Sequence, residues 1–406
     1  MSWQLLGTVV FGASVAALVY TYIGYPVLLF LFSRIKSRPI LRRPFAPSVT
    51  VIITAYNEER ALAAKLENTL ALDYPRELIE VIVASDCSTD RTDEIARSFS
   101  ARGVRLHRQA ERLGKTAAQN VAVQKARGEI IVFSDATSHY QPDVLREIMA
   151  NFADATVGCV AGRLVYVDRA NTDIGRGARS YWSYESLLKR HESRATSLIG
   201  ASGCLYAVRK SAYVPLYHEA CSDFIIATKM VEQGLRAVYE PNAVCTEETN
   251  RRSDNEFNMR VRVIAQTYTD LWRHRYMLNP LRHGFYAVQL LSHKVMRYAA
   301  PLFLLAAFGA SAMLAIQTGF WRVVFLAQLG GYLAASVTWI LERAGLGARL
   351  LALPHYFLLA NVASAIAFYH FLRGNRFARW EPIRETATAK QIAAEGVKAP
   401  HLPERA

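Results

Sequence analysis

Two apolar runs in the middle of this 406-residue chain lead into an aspartate and a third follows one, and a carboxylate in such a place must meet a cation or hydrogen-bond donors. Asp86 and Asp90 lie in Ser85-Asp86-Cys87-Ser88-Thr89-Asp90, after the run Ile79 to Ala84. A carboxylate there can accept from a heterocyclic base or ribose hydroxyls, while Ser88, Thr89 or Asp90 can also cap the next helix. Asp135 ends the most apolar run, Glu129 to Ser134. A Mg2+ or Mn2+ ion would satisfy it, because such ions use one or two carboxylates plus substrate phosphates. The plainer alternative is a helix-capping aspartate. Asp223 precedes Phe224-Ile225-Ile226, a setting that can raise a carboxyl toward a useful general base, although by periodicity it is a helix cap. Gly114-Lys115-Thr116 is no nucleotide-triphosphate loop, because position 109 is Gln109 where that motif needs glycine. A lysine opening a helix can still pair with a diphosphate, and Asn120 comes a turn later.

The elements that position these residues follow from hydropathy. From Pro47 short Val/Ile-rich runs alternate with helical stretches, which predicts an α/β domain with a mostly parallel open sheet and flanking helices. The predicted strands are Ser48 to Ala55, Ile79 to Ala84, Val104 to Arg108 and Glu129 to Ser134. Asn57 to Leu70 is expected as a helix capped by Asn57, and Thr116 to Ala126 as another. Tyr56, Asp86 and Asp135 then stand beyond the carboxyl ends of strands, where open α/β sheets bind ligands. Further strand-like pieces at Val160 to Val167 and Leu205 to Val208 belong to the acceptor side of the same domain.

Hydrophobic residues make up 52% of the chain and charged ones only 20%, more apolar than a soluble enzyme. The apolar excess is at the two ends, which predicts an N-terminal transmembrane anchor at 1–34, a cytosolic domain at 45–278, an interfacial helix at 279–298, C-terminal transmembrane helices at 299–374 and a tail at 375–406. The first block is expected to be retained rather than cleaved, because it lacks a basic start and a clear cleavage site. The net charge of +14 includes Arg34, Lys36, Arg38, Arg42 and Arg43 just after that block. This is the signature of a cytoplasmic juxtamembrane segment, and it argues against a nucleic-acid partner. One early span plus three later ones would put the carboxyl terminus outside, whereas Arg373, Arg376 and Arg379 argue for inside. The five cysteines show no zinc-ligand spacing and read as reduced cytosolic thiols. A coupled carrier would need intramembrane charges that the spans lack.

From Pro47 to about Trp272 the chain resembles the family 2 glycosyltransferases, in the branch of bacterial cellulose, chitin-oligosaccharide, hyaluronan and poly-N-acetylglucosamine synthases. Thr54-Ala55-Tyr56-Asn57-Glu58 is similar to that family's first-strand motif. Ser85 to Asp90 resembles its Asp-Asp-Gly-Ser-Thr-Asp loop with Asp86 kept, and Gly114-Lys115 through Asn120 its Gly-Lys-x-x-Ala-Leu-Asn motif. Asp135-Ala136-Thr137 occupies the Asp-x-Asp metal motif, with Thr137 where the second carboxylate belongs. Ser222-Asp223 stands where the family has Glu-Asp or Asp-Asp, and Gly200-Ala201-Ser202-Gly203 resembles its small-residue acceptor loop.

The resemblance implies an A-type glycosyltransferase fold and an inverting transfer from a nucleotide-sugar, with uridine as the donor base, to a growing polysaccharide or a lipid-linked glycan. In that reading Ala55, Tyr56, Asn57, Glu58, Asp86, Lys115, Asn120, Asp135 and Arg262 bind the donor, and Asp135 holds the metal. Gly200, Ser202 and Gly203 take the acceptor, and Asp223 is the general base. The Gln-x-x-Arg-Trp motif of processive members survives only as Arg262 within Met259 to Val263, which points to one or a few additions per encounter. Trp380-Glu381-Pro382 is similar to the gating-loop tryptophan of synthases. The site is expected at the inner face of the plasma membrane, with partner subunits for polymer export. The alternative is a catalytically degenerate membrane component that binds nucleotide or polysaccharide and assists another synthase.

Overall fold

A computed structural model describes residues 3–169, 171–343 and 349–381; most of the expected tail, including Pro382, lies outside them. The chain begins with two helices, α1 (Trp3–Val19) and α2 (Tyr25–Ile35), joined without a break by a π-helical turn at Tyr20–Gly24. Strands and helices then alternate as β1 (Val49–Ala55), α3 (Leu62–Leu70), β2 (Ile79–Ser85), α4 (Thr92–Ser98), β3 (Val104–Arg108), α5 (Lys115–Lys125) and β4 (Ile130–Asp135). Next come β5 (His139–Tyr140), α6 (Val144–Asn151), β6 (Val157–Val167), α7 (Asp173–Ala195), β7 (Leu205–Arg209), α8 (Ser222–Glu232) and β8 (Arg236–Glu248).

The eight strands form one sheet in the order β3-β2-β1-β4-β7-β6-β8-β5. β3, β2, β1 and β4 are parallel, and β7 runs antiparallel to both β4 and β6. Register sets the strand ends level: Ala55 pairs with Ser85, and Thr54 with Asp135. Side chains alternate across the sheet, so both faces need cover. Val49, Val51 and Ile53 join Leu62, Leu66 and Leu145 in one core, while Ile52 joins Phe133, Ala118 and Ile226 in the other. These β-branched residues suit a doubly covered strand, whose burial contributes about 1.5–3 kcal/mol per large apolar side chain.

Beyond the sheet lie α9 (Ser253–Arg273), α10 (Pro280–His283), α11 (Phe285–Leu290), α12 (Arg297–Ala315), α13 (Gly319–Arg343) and α14 (Ala352–Leu372). The expected helix from Asn57 starts only at Leu62. Asn57 adopts a left-handed φ of 56° that no helix continues, and its side chain bridges to the next loop. The segment 279–298 also departs from a separate interfacial helix. Phe285 onward runs through a π-helical stretch at Leu291–Met296 straight into α12, making one helical unit over Phe285–Ala315. Among the described residues, four helical units are long and apolar enough to cross a membrane: Trp3–Ile35, Phe285–Ala315, Gly319–Glu342 and Arg349–Leu372.

The last of these has a distinctive partner. α14 lies lengthwise along the amphipathic α9: Ser253 meets His355, Arg260 meets Tyr356, and Tyr268 packs on Phe368 and Phe371. Toward the hairpin of α12 and α13, His355 Nδ1 contacts the Ala335 carbonyl at 3.0 Å and Ser364 Oγ donates to the Tyr298 carbonyl at 3.0 Å. Ala335 and Tyr298 both lie toward the ends of their helices remote from the turn that joins them.

Candidate active site

The level strand ends form the floor of a cavity of about 1010 Å³. Asp135 enters it from the end of β4 and is ion-paired with Lys115, the first residue of α5. Burial works against the lysine charge, but the attraction of Asp135 and then Asp223 outweighs it and raises the Lys115 pKa. Asp223 comes from the first turn of α8, its Oδ1 accepting from the Phe224 amide at 3.1 Å. The three side chains converge on Gly203. A Cβ built there would stand 3.3 Å from Asp223 Oδ2, 3.3 Å from Lys115 Nζ and 3.6 Å from Asp135 Oδ2. Arg262 reaches the same cavity from α9, and among the described residues it forms no ion pair. Burial lowers its pKa, opposed by Cys221, Asp223 and Asp135.

The acceptor-side loop is held by groups with no motif of their own. The Ala201 amide donates to the Asp223 carbonyl at 2.8 Å, and buried Lys189 of α7 donates to Ala201 O at 3.1 Å and Ser202 Oγ at 2.6 Å. The turn before α8 is fixed from two sides: Thr116 Oγ1 donates to Ala220 O at 2.8 Å, and the Cys221 amide donates to Asp270 Oδ2 at 3.1 Å. Asp270 is fully buried, and burial pushes its carboxyl up to about 8 despite the donors it accepts. Neither Lys189 nor Asp270 carries a sequence signal beyond a charge on an apolar helix face. Glu247, on β8, is a third residue that sequence reasoning missed; burial and then Asp135 push it up to about 7. Buried Lys65 sits 3.3 Å over the Tyr140 ring nearby, and burial pushes it down to about 7.

Of the residues expected at the site, Asn57, Glu58, Lys115, Asp135, Gly200, Gly203, Asp223 and Arg262 line this cavity. Others serve the loops around it. Asp86 is fully buried: Oδ1 accepts from Gln109 Nε2 at 2.6 Å and the Leu113 amide at 2.9 Å, and Oδ2 accepts from the Gly114 amide at 3.0 Å. Its carboxylate is therefore spent on the turn that presents Lys115. Asn120 is likewise engaged, with Leu216 N and O and the Tyr213 hydroxyl. Ser202 is buried under Lys189, and the Ala55 carbonyl accepts from the Asp86 amide at 2.9 Å. Asp90 also lines the cavity, and its Oδ1 accepts from the Thr92 amide in the first turn of α4 at 2.9 Å.

Tyr56 lies under Arg112, whose guanidinium is 3.7 Å from the ring centroid. Arg112 in turn pairs with Glu381 at 2.7 Å and donates to the Trp380 carbonyl, and the Trp380 ring meets Tyr56 edge-on at 6.0 Å. The segment after α14 thus runs back across the turn that carries Lys115. Gly114 is required twice over, by its φ of 102° and because a Cβ would stand 2.1 Å from Ala378 O.

Among the described residues no group of three or more His, Cys, Asp or Glu is assembled to hold a metal ion. The donors present still fit a hard divalent cation. Asp135 already holds one cation, the Lys115 ammonium, and an ion bound with a diphosphate needs only one or two carboxylates.

Comparison with known proteins identifies this architecture: residues 50–214 match the family model described as Glycosyl transferase family 2. Residues 50–214 are a family 2 glycosyltransferase domain. The chain is 26% identical over 254 residues to an N-acetylglucosaminyltransferase of Sinorhizobium fredii, covering 58% of this chain and 60% of that one. It is 25% identical over 240 residues to the poly-beta-1,6-N-acetyl-D-glucosamine synthase of Staphylococcus aureus, covering 56% and 57%. The matches thus span about 60% of the length of these relatives. A solved mannosyltransferase from Pyrobaculum calidifontis, in complex with GDP-Man and Mn2+, superposes with a TM-score of 0.66 at 25% identity, over 88% of this chain and 99% of that one. The glycosyltransferase domain therefore has the A-type fold expected from its motifs, and its apolar helices flank it in the same chain.

Proposed function

We propose that this chain transfers a sugar, with inversion, from a nucleotide-activated donor to a glycan or lipid-linked acceptor at the cytoplasmic membrane face. The convergence of Lys115, Asp135 and Asp223 on Gly203 carries this reading. Asp223 Oδ2 takes the proton of the acceptor hydroxyl as that oxygen attacks the anomeric carbon. Lys115 and Arg262 stabilise charge on the departing diphosphate, where donors aimed at developing charge act most strongly. A Mg2+ or Mn2+ ion held by Asp135 would neutralise further diphosphate charge. Gly203 leaves room for a sugar ring among these groups, and the Lys189-pinned loop fixes where that ring can lie.

The relatives' names favour N-acetylglucosamine as the sugar and poly-N-acetylglucosamine as one kind of product, while the superposing mannosyltransferase makes a guanosine donor the competing choice. Nucleoside diphosphate release decides between them. Purified protein in detergent is offered UDP-N-acetylglucosamine, GDP-mannose and other nucleotide-sugars with Mn2+ or Mg2+, and Asp135→Ala serves as the control. Turnover of one donor that vanishes in the variant supports the reading. A retained anomeric configuration in the product overturns the role of Asp223, and silence with every donor and acceptor favours a nucleotide- or glycan-binding accessory component.

In the membrane arrangement we favour, α14 does not cross. His355 and Ser364 are roughly 13 Å apart along the helix, yet both touch the end of the α12–α13 hairpin remote from its turn. A helix that keeps one depth over that length lies in the plane of the interface, as its partner α9 does. The remaining three spans place the carboxyl end on the side of the catalytic domain. This agrees with Arg373, Arg376 and Arg379 and removes the conflict in the sequence. A cysteine introduced at Asn375 should be labelled by an impermeant maleimide only after inner-membrane vesicles are prepared inside-out; labelling in intact cells overturns the arrangement.

A further inference from the structure

We propose that Glu247 supplies the second carboxylate of the cation site, in the place left open by Thr137. The inference rests on the reading of Asp135 as a metal ligand. Thr137 is two residues beyond Asp135, and its hydroxyl donates to Glu247 Oε1 at 2.8 Å, so β8 delivers a carboxylate to the position a longer acidic side chain at 137 would otherwise fill. Sheet register brings it there: His139 pairs with Thr246 and Tyr140 with Cys245, which sets residue 247 level with the turn after β4. Asp135, Ala136, Thr137 and Glu247 all line the same cavity.

The charges around Glu247 are those of a ligand rather than of a surface ion pair. Its neighbour Glu248 pairs with Arg169 at 3.3 Å and Arg251 at 3.6 Å, whereas Glu247 forms no ion pair among the described residues. Of the two lysines that act on Glu247, Lys115 is held by Asp135, and Lys65 is buried over the Tyr140 ring. Lys115 and Lys65 offset part of the repulsion between Glu247 and Asp135, but burial and that repulsion still win, so two carboxylates in a recessed site are favoured when a cation is shared between them. A divalent ion that meets Asp135, Glu247 and the donor diphosphate gives both carboxylates a partner and uses only oxygen ligands. Thr137 then orients Glu247 from behind, as outer hydrogen bonds do for ligating carboxylates.

The test is a titration of the detergent-solubilised full chain with Mn2+ in the presence of UDP or GDP, following the free Mn2+ signal by electron paramagnetic resonance. Glu247→Gln keeps an acceptor for Thr137 but loses the charge. It should weaken Mn2+ binding about tenfold or more, as Asp135→Asn should, while Thr137→Ala changes it by less than about threefold. Adding Thr137→Asp to Glu247→Gln should restore Mn2+ binding, a recovery that a misfolded variant cannot give. If Glu247→Gln binds Mn2+ like wild type while Asp135→Asn does not, Glu247 is only a hydrogen-bond acceptor and this inference fails alone. If the wild-type protein binds no Mn2+ with either nucleotide, the reading of Asp135 as a metal ligand fails with it.

Discussion

Gly203 and Asp223 face each other closely enough that a Cβ on the glycine would stand 3.3 Å from Asp223 Oδ2. In that gap the carboxylate, the Lys115 ammonium and Asp135 are all within reach of a ligand atom. Its size depends on a residue without a side chain.

Gly203→Ala should therefore impair transfer without unfolding the domain. The atoms a new methyl meets are side-chain ends, which yield more cheaply than backbone. The expected result is a fall in kcat/KM of about tenfold to a hundredfold, in the range set by misplacing reacting groups by about 1 Å, with an unchanged thermal unfolding midpoint. Steady-state kinetics and a melting curve on the same preparation check both halves.

Asp223→Asn keeps the hydrogen-bonding shape at the start of α8 and removes the proton acceptor. Loss of a positioned base lowers turnover by about 10²–10⁴. Donor affinity, measured by calorimetric titration of the nucleoside diphosphate, should stay near the wild-type value. A variant that turns over normally would move the base elsewhere.

Asp270 makes stability depend on pH. Its carboxyl titrates at about 8 in the folded protein and near 3.9 in an unfolded chain. Between those values the folded state binds more protons, so the stabilising contribution is complete below about 4 and is lost as pH rises through 8. The slope approaches about 1.4 kcal/mol per pH unit for one proton. Asp270→Asn should flatten this part of the stability profile, read as the difference between the unfolding curves of the two proteins from pH 5 to about 9.

Arg112 joins Tyr56 to Trp380 and Glu381. Arg112→Ala removes the tie between the turn before α5 and the segment after α14, at a position where no core packing is lost. The donor KM should rise several-fold, by about 0.5–1 kcal/mol in binding for a partly exposed cation on an aromatic ring, while the melting midpoint stays in place. An unchanged KM would remove that segment from donor binding.

The sheet was legible because its leading strands are short runs rich in Val and Ile, broken by few polar residues such as Thr50 and Glu80. Val104–Arg108 has the predicted limits, β1 and β2 differ from expectation by one residue at one end, and β4 is shifted by one residue at both. Asp135, Lys115, Asp223 and Gly203 were legible because they stand where apolar runs stop or where small residues interrupt the chain. The division of labour among the aspartates was not. Asp86 and Asp135 have the same local context, a carboxylate just after a buried strand, and only the turn at 109–114 makes one a brace and leaves the other in the cavity. Asn120 resembled a donor-binding residue because one helical turn separates it from Lys115, but its amide is matched to residues 213–216, which no local pattern announces. Lys189, Asp270 and Glu247 act across long stretches of chain, so their roles exist only once helices and strands distant in sequence have met.

The walls of the cavity are drawn from residues as far apart in the chain as Thr54, near the end of the first strand, and Glu381, the last described residue. A ribosome that has completed the sheet has made only part of the pocket. The remaining wall arrives after α12, α13 and α14 have been synthesised, because Ala378 and Trp380 come after all three. Completion of the pocket is thereby tied to the docking of those helices, and a chain stalled before that point carries an incomplete crevice.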